Sequence, residues 1–192
     1  QRQMCIRDSI YMQSLEGMRE RTIVCNSLSK TYSITGWRLG YVIANPQIID
    51  RVKKVHDFLT VGAAAPLMEA AVVGLEFGDG YYDELAAHYA HMKEVFVGGL
   101  KKLGLKYTDP QGAYYVLVDV SEFGVKDDVK FCEWMAQFVG VAAVPGSSFF
   151  REDVHNLVRF HFAKQDDTLN EAIKRLATLK EKAINAKNVD WR

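Results

Sequence analysis

Residues 27–40 read SLSKTYSITGWRLG and place one lysine, Lys30, among hydroxyl side chains, with Arg38 eight positions farther on. A lysine amine must lose its proton before it can attack a carbonyl, and partial burial near a second cation favours that loss. Arg38 is the candidate for the second cation. The hydroxyls of Ser27 and Ser29 and the Arg38 guanidinium are also suitable donors to a phosphate. A reactive lysine beside a phosphate cradle predicts a site for pyridoxal phosphate.

This stretch resembles the lysine-attachment signature of class I and II pyridoxal-phosphate aminotransferases. The resemblance implies that Lys30 carries the cofactor as a Schiff base and that Arg38 and Ser27, with Ser29, hold its phosphate. It extends from about Ile10 to Ala186 and implies a fold of type I, with the C-terminal part of a large cofactor domain followed by a small α/β domain. The alternative is an ordinary strand, turn and strand without a cofactor.

Composition predicts a folded protein with no attraction to nucleic acid or membranes. The chain has 192 residues, of which 48% are hydrophobic, and this is enough to bury a sizeable core. Its 24 Lys and Arg residues balance 24 Asp and Glu residues, so no net charge draws it to nucleic acid or anionic lipid. No apolar run approaches the roughly 20 residues of a membrane span, and no signal-peptide pattern is present. We therefore expect a cytoplasmic protein.

The three cysteines, Cys5, Cys25 and Cys132, are odd in number and far apart, and they include no Cys-x-x-Cys pair. This spacing argues against both a disulfide framework and a zinc site. We expect reduced, buried thiols.

The order of predicted elements favours an α/β fold. Strands are predicted over residues 22–26, 38–44, 113–120, 141–144 and 157–163, and helices over 46–59, 66–77, 81–103, 127–138 and 166–186, with a turn at 78–80. The helix from Pro46 is capped by Asn45, and it carries an apolar stripe that is typical of a buried face. The stripe consists of Ile48, Ile49, Val52, Val55 and Leu59.

Three segments follow from the resemblance. Residues 1–9 match nothing that precedes this region in the family, so we interpret them as a non-native or disordered segment. Residues 10–95 are assigned to the large cofactor domain and residues 96–192 to the small domain.

No part of the chain resembles the first half of the large domain, which in the family holds the aspartate that contacts the pyridine nitrogen. Asp8 and Tyr11 copy the spacing of two family residues but lie too close to Lys30. We therefore expect a fragment that is inactive alone.

A second candidate site lies in the predicted strand 157–163, where alternation places Arg159 opposite Val158 and Phe160. An arginine in an apolar strand needs a carboxylate partner, either an acid of this chain or a bound ligand. The resemblance implies the second, with Arg159 clamping the substrate α-carboxylate through two hydrogen bonds. His161 shares the face of Arg159 and is a weaker candidate for the same pocket.

Two other segments resemble parts of the family. Residues 144–149, VPGSSF, resemble a turn near the mouth of the active site, and residues 111–115, QGAYY, lead into a strand of the small domain. A turn and simple core packing explain them equally well, so neither is assigned a catalytic role. His88 and His91 lie three apart on a predicted helix without a third ligand, which indicates a solvated helix face rather than a metal site.

The resemblance implies transfer of an amino group from an amino acid to a 2-oxo acid, with Lys30 as the general base at Cα. It also implies a homodimer. Two alternatives stay open. One is a β-lyase or decarboxylase of the same fold, which would use the same lysine and phosphate cradle. The other is a non-catalytic, aminotransferase-like ligand sensor of a transcription regulator.

Overall fold

A computed structural model describes residues 10–186 and 189–192. It divides into two compact units, with the boundary between Glu84 and Leu85. The expected boundary after residue 95 and the assignment of the segments to family domains stay predictions. The expected foreign segment 1–9, with Cys5 and Asp8, lies outside the described residues. Within those residues, no helix is both long enough and apolar enough to cross a lipid bilayer.

The first unit contains a hairpin of two antiparallel strands, β1 (Val24–Ser27) and β2 (Gly40–Ile43). Ser27 pairs with Gly40, and a Cβ added at Gly40 would lie 2.5 Å from the carbonyl oxygen of Asn26. Real Cβ atoms do not approach an oxygen so closely, so this pairing requires glycine. Residues 28–39, which we call the lysine loop, connect the two strands.

Leu28 and Leu39 close the base of the lysine loop. Both side chains are buried together with Ala71, and the Leu28 N–H donates to the Leu39 carbonyl at 3.1 Å. The strand predicted over residues 38–44 therefore forms, but most of its side chains are exposed, including Val42 and Ile43.

Helix α1 (Pro46–Thr60) begins as predicted, because the Asn45 side chain accepts a hydrogen bond from the Gln47 N–H at 3.0 Å. Its predicted apolar stripe is not buried, since Leu59 is 75% exposed and the neighbouring Phe58 is 93% exposed. The helix ends at Thr60, and Val61 follows it with φ at 63° and ψ at −57°. The Gly62 N–H donates to the Thr60 carbonyl at 2.7 Å, so Val61 occupies a strained γ-turn.

Two further helices follow, α2 (Ala65–Leu75) and α3 (Asp79–Lys102). The predicted turn at residues 78–80 is wrong, because Asp79 and Gly80 form the first turn of α3. An aspartate is favourable there, since it faces the positive end of the helix dipole. The pair Gly98 and Gly99 does not interrupt the helix. A Cβ added at Gly99 would lie 2.4 Å from the Ile173 side chain, so this glycine permits close packing.

The second unit contains a four-stranded antiparallel sheet. Its strands are β3 (Lys106–Tyr107), β4 (Tyr115–Asp119), β5 (Val144–Pro145) and β6 (Leu157–His161), in the order β3-β4-β6-β5. Strand β3 was not predicted, and β5 covers only the end of the strand predicted over 141–144. The central strands alternate as expected, with Val158 and Phe160 buried and Arg159 facing the other way.

Three helices cover the apolar face of this sheet together with the second half of α3. They are α4 (Asp128–Trp134), which continues as a π-helical turn over Met135–Val139, α5 (Asp166–Leu176) and α6 (Leu179–Asn185). The helix predicted over 166–186 is thus divided at residues 177 and 178. The core joins buried side chains from the sheet and all of these helices, including Phe96, Leu100, Val116, Phe131 and Phe162.

The cysteines differ from the expectation in one respect. Cys132 is buried as predicted, and burial, followed by the negative charges of Asp128 and Glu133, raises the pKa of its thiol to about 12. Cys25 is exposed on β1, so the prediction of a buried thiol was wrong there. Strand β1 belongs to a two-stranded hairpin with little cover, which accounts for the exposure.

Candidate active-site residues

Lys30 lies in the first unit, within the lysine loop, and its side chain is exposed rather than partly buried as expected. Its Nζ is 3.5 Å from the hydroxyl oxygen of Thr35. The Thr35 hydroxyl in turn donates to the Ser29 carbonyl at 3.2 Å. These contacts hold the amine over the turn formed by the loop itself. The described residues leave the amine open to a ligand on its other sides.

Ser27, the last residue of β1, and Ser29, near the start of the lysine loop, lie close together. The Ser27 hydroxyl accepts the Ser29 N–H at 3.1 Å, and the Ser27 N–H donates to the Asn26 side chain at 2.8 Å. Ser29 is buried, and its hydroxyl has no hydrogen-bond partner among the residues that the structure describes. The structure therefore brings the two predicted serines together beside Lys30.

Arg38 lies at the end of the same loop in a left-handed conformation, with φ at 57° and ψ at 43°. Its Nη1 donates to the Thr35 carbonyl at 2.9 Å. Thr35 thus contacts both Lys30 and Arg38, one through its hydroxyl and the other through its backbone. Thr35 was not predicted, because a threonine in a loop is an ordinary residue and no signal in the sequence identifies it.

The donor set fits pyridoxal phosphate. An amine, a guanidinium and one hydroxyl belong to the lysine loop, the second hydroxyl belongs to the last residue of β1, and these groups suit an aldehyde and a phosphate. Gly36 adds room, because a Cβ built at this position would meet no heavy atom within 4 Å. A phosphate needs close approach to its donors, and the open space at Gly36 permits such an approach.

Aromatic side chains support the lysine loop from one side. The Tyr81 hydroxyl donates to the Thr31 carbonyl at 2.6 Å, and the Tyr32 ring stacks on Tyr81 with centroids 5.9 Å apart. The Tyr32 hydroxyl is 2.8 Å from that of Tyr82. Burial, followed by the contact with Tyr82, raises the pKa of Tyr32, so it stays neutral. These tyrosines hold the backbone next to Lys30, a role that was not predicted from the sequence.

Arg159 lies in the second unit between two aromatic rings. Its guanidinium carbon is 4.2 Å from the Tyr115 ring centroid and 3.5 Å from that of Phe149. No carboxylate in the described part of the chain pairs with it, so the alternative of an internal ion pair receives no support from these residues. The two rings lie at cation–π distance from the guanidinium, and its N–H groups have no acceptor among the described residues, so they are available to donate to a bound oxygen. The arrangement suits bidentate binding of a carboxylate.

His161 and Arg159 line one cleft of about 740 Å³. Burial, followed by the positive charges of Lys164 and Arg159, lowers the pKa of His161. The imidazole is therefore neutral at physiological pH and does not compete with Arg159 for an anion.

The helical histidine pair shows no metal-site geometry. His91 Nε2 lies 2.9 Å from Asp166 Oδ2, and this hydrogen bond raises the pKa of His91. Across the described ranges, no group of three or more His, Cys, Asp or Glu side chains could hold a metal ion.

Comparison with known proteins gives concordant matches. The model of the family described as aminotransferase class I and II matches residues 4–176. The chain is 37% identical over 163 residues to methionine aminotransferase of Escherichia coli K12, covering 84% of the chain and 42% of the relative. It is 33% identical over 181 residues to a probable N-succinyldiaminopimelate aminotransferase of Mycobacterium tuberculosis H37Rv, covering 89% and 46%.

A solved structure agrees with these sequence matches. N-succinyldiaminopimelate aminotransferase from Mycobacterium tuberculosis superposes with a TM-score of 0.83 at 31% identity, covering 93% of this chain and 47% of that one. The chain thus spans less than half of the length of the relatives that it matches.

Proposed function

Because the chain belongs to the class I and II aminotransferases, we propose that the whole protein transfers an amino group from an amino acid to a 2-oxo acid. The matches also confirm the predicted α/β fold of type I and the use of pyridoxal phosphate in this family. The observation that carries the proposal is the contact of Thr35 with both Lys30 and Arg38 in the lysine loop, next to the hydrogen-bonded pair Ser27 and Ser29.

In this proposal, the lysine loop binds the cofactor. Lys30 Nζ is the attachment point, and Ser27, Ser29 and Arg38 hold the phosphate. Bound pyridoxal phosphate supplies an electron sink for the electron pair left at the substrate Cα after deprotonation. Lys30 Nζ accepts the Cα proton as general base and later returns it, which requires the amine to be neutral at that moment.

Arg159 binds the α-carboxylate of the amino acid through two N–H donors in this proposal. Its cation–π contacts with Tyr115 and Phe149 limit the motion of the guanidinium, and this limits the orientations of the bound carboxylate. An arginine that holds the carboxylate also opposes its loss as carbon dioxide. Arg159 therefore favours transamination over decarboxylation.

We also propose that the whole protein forms a homodimer and is located in the cytoplasm. The family resemblance supports the dimer. The large exposed apolar side chains of the first unit, such as Phe58 and Leu59, are consistent with surfaces that become covered in a larger assembly. The widely spaced cysteines support a reducing compartment.

The test is to incubate the full-length protein with pyridoxal phosphate, reduce it with borohydride, and locate the labelled lysine by peptide mass spectrometry. We expect the label on Lys30, and its loss in Lys30→Arg. Lys53, on the exposed side of α1, is the matched control, and Lys53→Arg should leave the label unchanged. Equal labelling of Lys30 and Lys53 would contradict the assignment. Formation of a 2-oxo acid from an amino acid then tests the reaction itself.

A further inference from the structure

The turn at Gly146–Phe149 carries the Phe149 ring, which lies over the guanidinium of Arg159. The position of this ring depends on the contacts that hold the turn. The turn packs tightly against β6, because a Cβ added at Gly146 would lie 2.4 Å from the Leu157 carbonyl oxygen. Phe149 is half exposed at the end of this turn. Its ring therefore depends on the backbone of the turn for its place over the guanidinium.

The turn is held by Asp128, the second of two adjacent aspartates. Asp127 caps α4 in the ordinary way, with its side chain accepting the Lys130 N–H at 3.0 Å. Asp128 is fully buried and has no such role. Its Oδ2 accepts the Ser147 N–H at 2.8 Å, and its Oδ1 lies 3.0 Å from His155 Nδ1. The buried carboxylate thus joins the turn to the loop that precedes β6.

His155 completes the arrangement on the outside. Its Nε2 lies 2.8 Å from the exposed carboxylate of Asp153. Each imidazole nitrogen thus faces a carboxylate, and only the imidazolium form can donate to both. Its positive charge offsets the cost of burying the Asp128 carboxylate.

We propose that Asp128 and His155 are positioning residues, which fix the turn at 146–149 so that Phe149 covers Arg159 and aligns it for the substrate carboxylate. The inference rests on the proposed role of Arg159. Without the Asp128 carboxylate, the Ser147 N–H loses its buried acceptor and the turn loosens. Phe149 then leaves the guanidinium, which becomes solvated and samples more orientations. Carboxylate binding weakens, while the chemistry at the lysine stays intact.

The experiment uses the full-length protein with two kinds of substrate, an amino acid and a primary amine that lacks the carboxylate. In Asp128→Ala we expect KM for the amino acid to rise roughly 3- to 30-fold, the range set by a lost cation–π contact. We expect kcat for the amino acid and both constants for the amine to stay within about twofold. Asp128→Asn keeps an acceptor for Ser147 and should restore most of the affinity.

Asp119→Ala is the matched control. Asp119 also holds a turn in the same unit, since it accepts the Ser121 N–H at 2.9 Å and the Asn156 side chain at 3.2 Å. It does not contact the turn at 146–149 in the described residues, so its removal should leave KM unchanged. Equal effects of Asp119→Ala and Asp128→Ala, or equal losses with the amino acid and the amine, would show a general structural role and overturn the proposal.

Phe149→Leu provides a second variant in case Asp128→Ala does not fold. It removes the ring and leaves the carboxylate contacts in place, so the same selective rise in KM is expected, and an unchanged KM would overturn the proposal. Arg159→Gln separates the two hypotheses. If it leaves KM for the amino acid unchanged, the proposed role of Arg159 fails. If it raises KM while Phe149→Leu and Asp128→Ala do not, only the positioning role fails.

Discussion

The two units of this chain differ in how much apolar surface they bury. The first unit has a small core, formed in the described residues by Leu28, Leu39 and Ala71 with a few partly buried neighbours. The second unit has a continuous core that joins its sheet to its helices. Burial of apolar surface is the main stabilising contribution in folding. Within this chain, the arginine strand therefore lies in a unit with a continuous core, whereas the lysine loop lies in a unit that leaves much of its apolar surface exposed.

The lysine loop also contains backbone strain. Ser33 and Arg38 both have positive φ angles, 56° and 57°, which are unfavourable for residues other than glycine. Arg159, by contrast, lies in a regular strand and is packed between two rings. A strained loop needs stabilising contacts to persist, and the hydrogen bond from Tyr81 to Thr31 is one of them.

The largest effect on stability is expected from the truncation of a core side chain in the second unit. Phe131 is fully buried and lies within 6 Å of both Trp134 and Trp191 by ring centroid, at 5.7 and 5.1 Å. Phe131→Ala should lower the free energy of unfolding of this unit by about 3–5 kcal/mol. The fluorescence of these tryptophans during urea unfolding, in a Trp37→Phe background, gives the measurement.

Phe58→Ala is the control for this truncation, since the same side chain is 93% exposed in the first unit. Its effect should stay within about 0.5 kcal/mol. If the two truncations destabilise the chain equally, the difference between the units is not real.

Alanine substitutions at three glycines should have the next largest effects. A Cβ at Gly40 or at Gly146 would collide with a backbone oxygen, so alanine at Gly40 forces β1 and β2 apart, and alanine at Gly146 forces the turn away from β6. We expect each substitution to cost about 1–3 kcal/mol, with the Gly146→Ala loss seen in the tryptophans of the second unit. Gly36→Ala, which meets open space, should be nearly neutral. Thermal unfolding of the three variants gives the measurement. An equal loss of stability in all three would show that the close contacts at Gly40 and Gly146 do not matter.

The stability of the second unit should also depend on pH, and this effect should be smaller than those of the glycine substitutions. Burial alone would raise the pKa of Asp128, but hydrogen bonds from Ser147 and His155 outweigh it and lower the pKa. Its stabilisation is therefore present above the unfolded value of about 4 and is lost as pH falls through the folded pKa. Hydrogen bonds to Asp128 and Asp153 raise the pKa of His155. Its stabilisation is full below about pH 6.5 and is lost as pH rises through the folded value.

We therefore expect His155→Gln to flatten the decline of stability on the alkaline side, and Asp128→Asn to flatten it on the acid side. Urea unfolding at a series of pH values, followed by Trp134 and Trp191, provides the measurement. Unchanged profiles in both variants would show that these contacts do not contribute to the stability of the second unit.

The smallest expected effect concerns a surface ion pair on α5. Arg175 Nε lies 2.8 Å from Glu171 Oε1, and the two side chains are about half exposed. Exposed pairs of this kind contribute about 0.3–0.5 kcal/mol, and salt screens them. Glu171→Gln should therefore lower the melting temperature only slightly, and not at all in 1 M salt. A large shift would mean that α5 depends on charge more than on its buried leucines.

Local signals explain which parts of the fold were predictable from the sequence. Asn45 and Pro46 marked the start of α1 because capping depends on adjacent residues. Alternation in β6 placed Arg159 correctly because a strand has a period of two residues. The turn at residues 78–80 was predicted wrongly because glycine is permissive and does not by itself exclude a helix.

Contacts between distant segments were not predictable in the same way. Whether the apolar stripe of α1 is exposed depends on which other segments cover the helix. The sequence of the helix itself does not contain that information. The family signature identified Lys30, Ser27, Ser29 and Arg38, but their roles stay predictions. Thr35 has an ordinary residue type in a loop, and only the folded backbone brings it to both cations. Asp128 looks like a second capping residue in the sequence, and its contact with Ser147 joins residues far apart in the chain.

The contrast between the two described cysteines has a practical consequence. A thiol reacts with a maleimide as its thiolate, so the buried Cys132, with its raised pKa, should be inert in the native protein. Cys25 is exposed on β1, shortly before the lysine loop. In a Cys5→Ser background, a fluorophore can therefore be attached selectively at Cys25. Its emission would report cofactor binding from the side of the hairpin, without any change to the residues proposed to bind it.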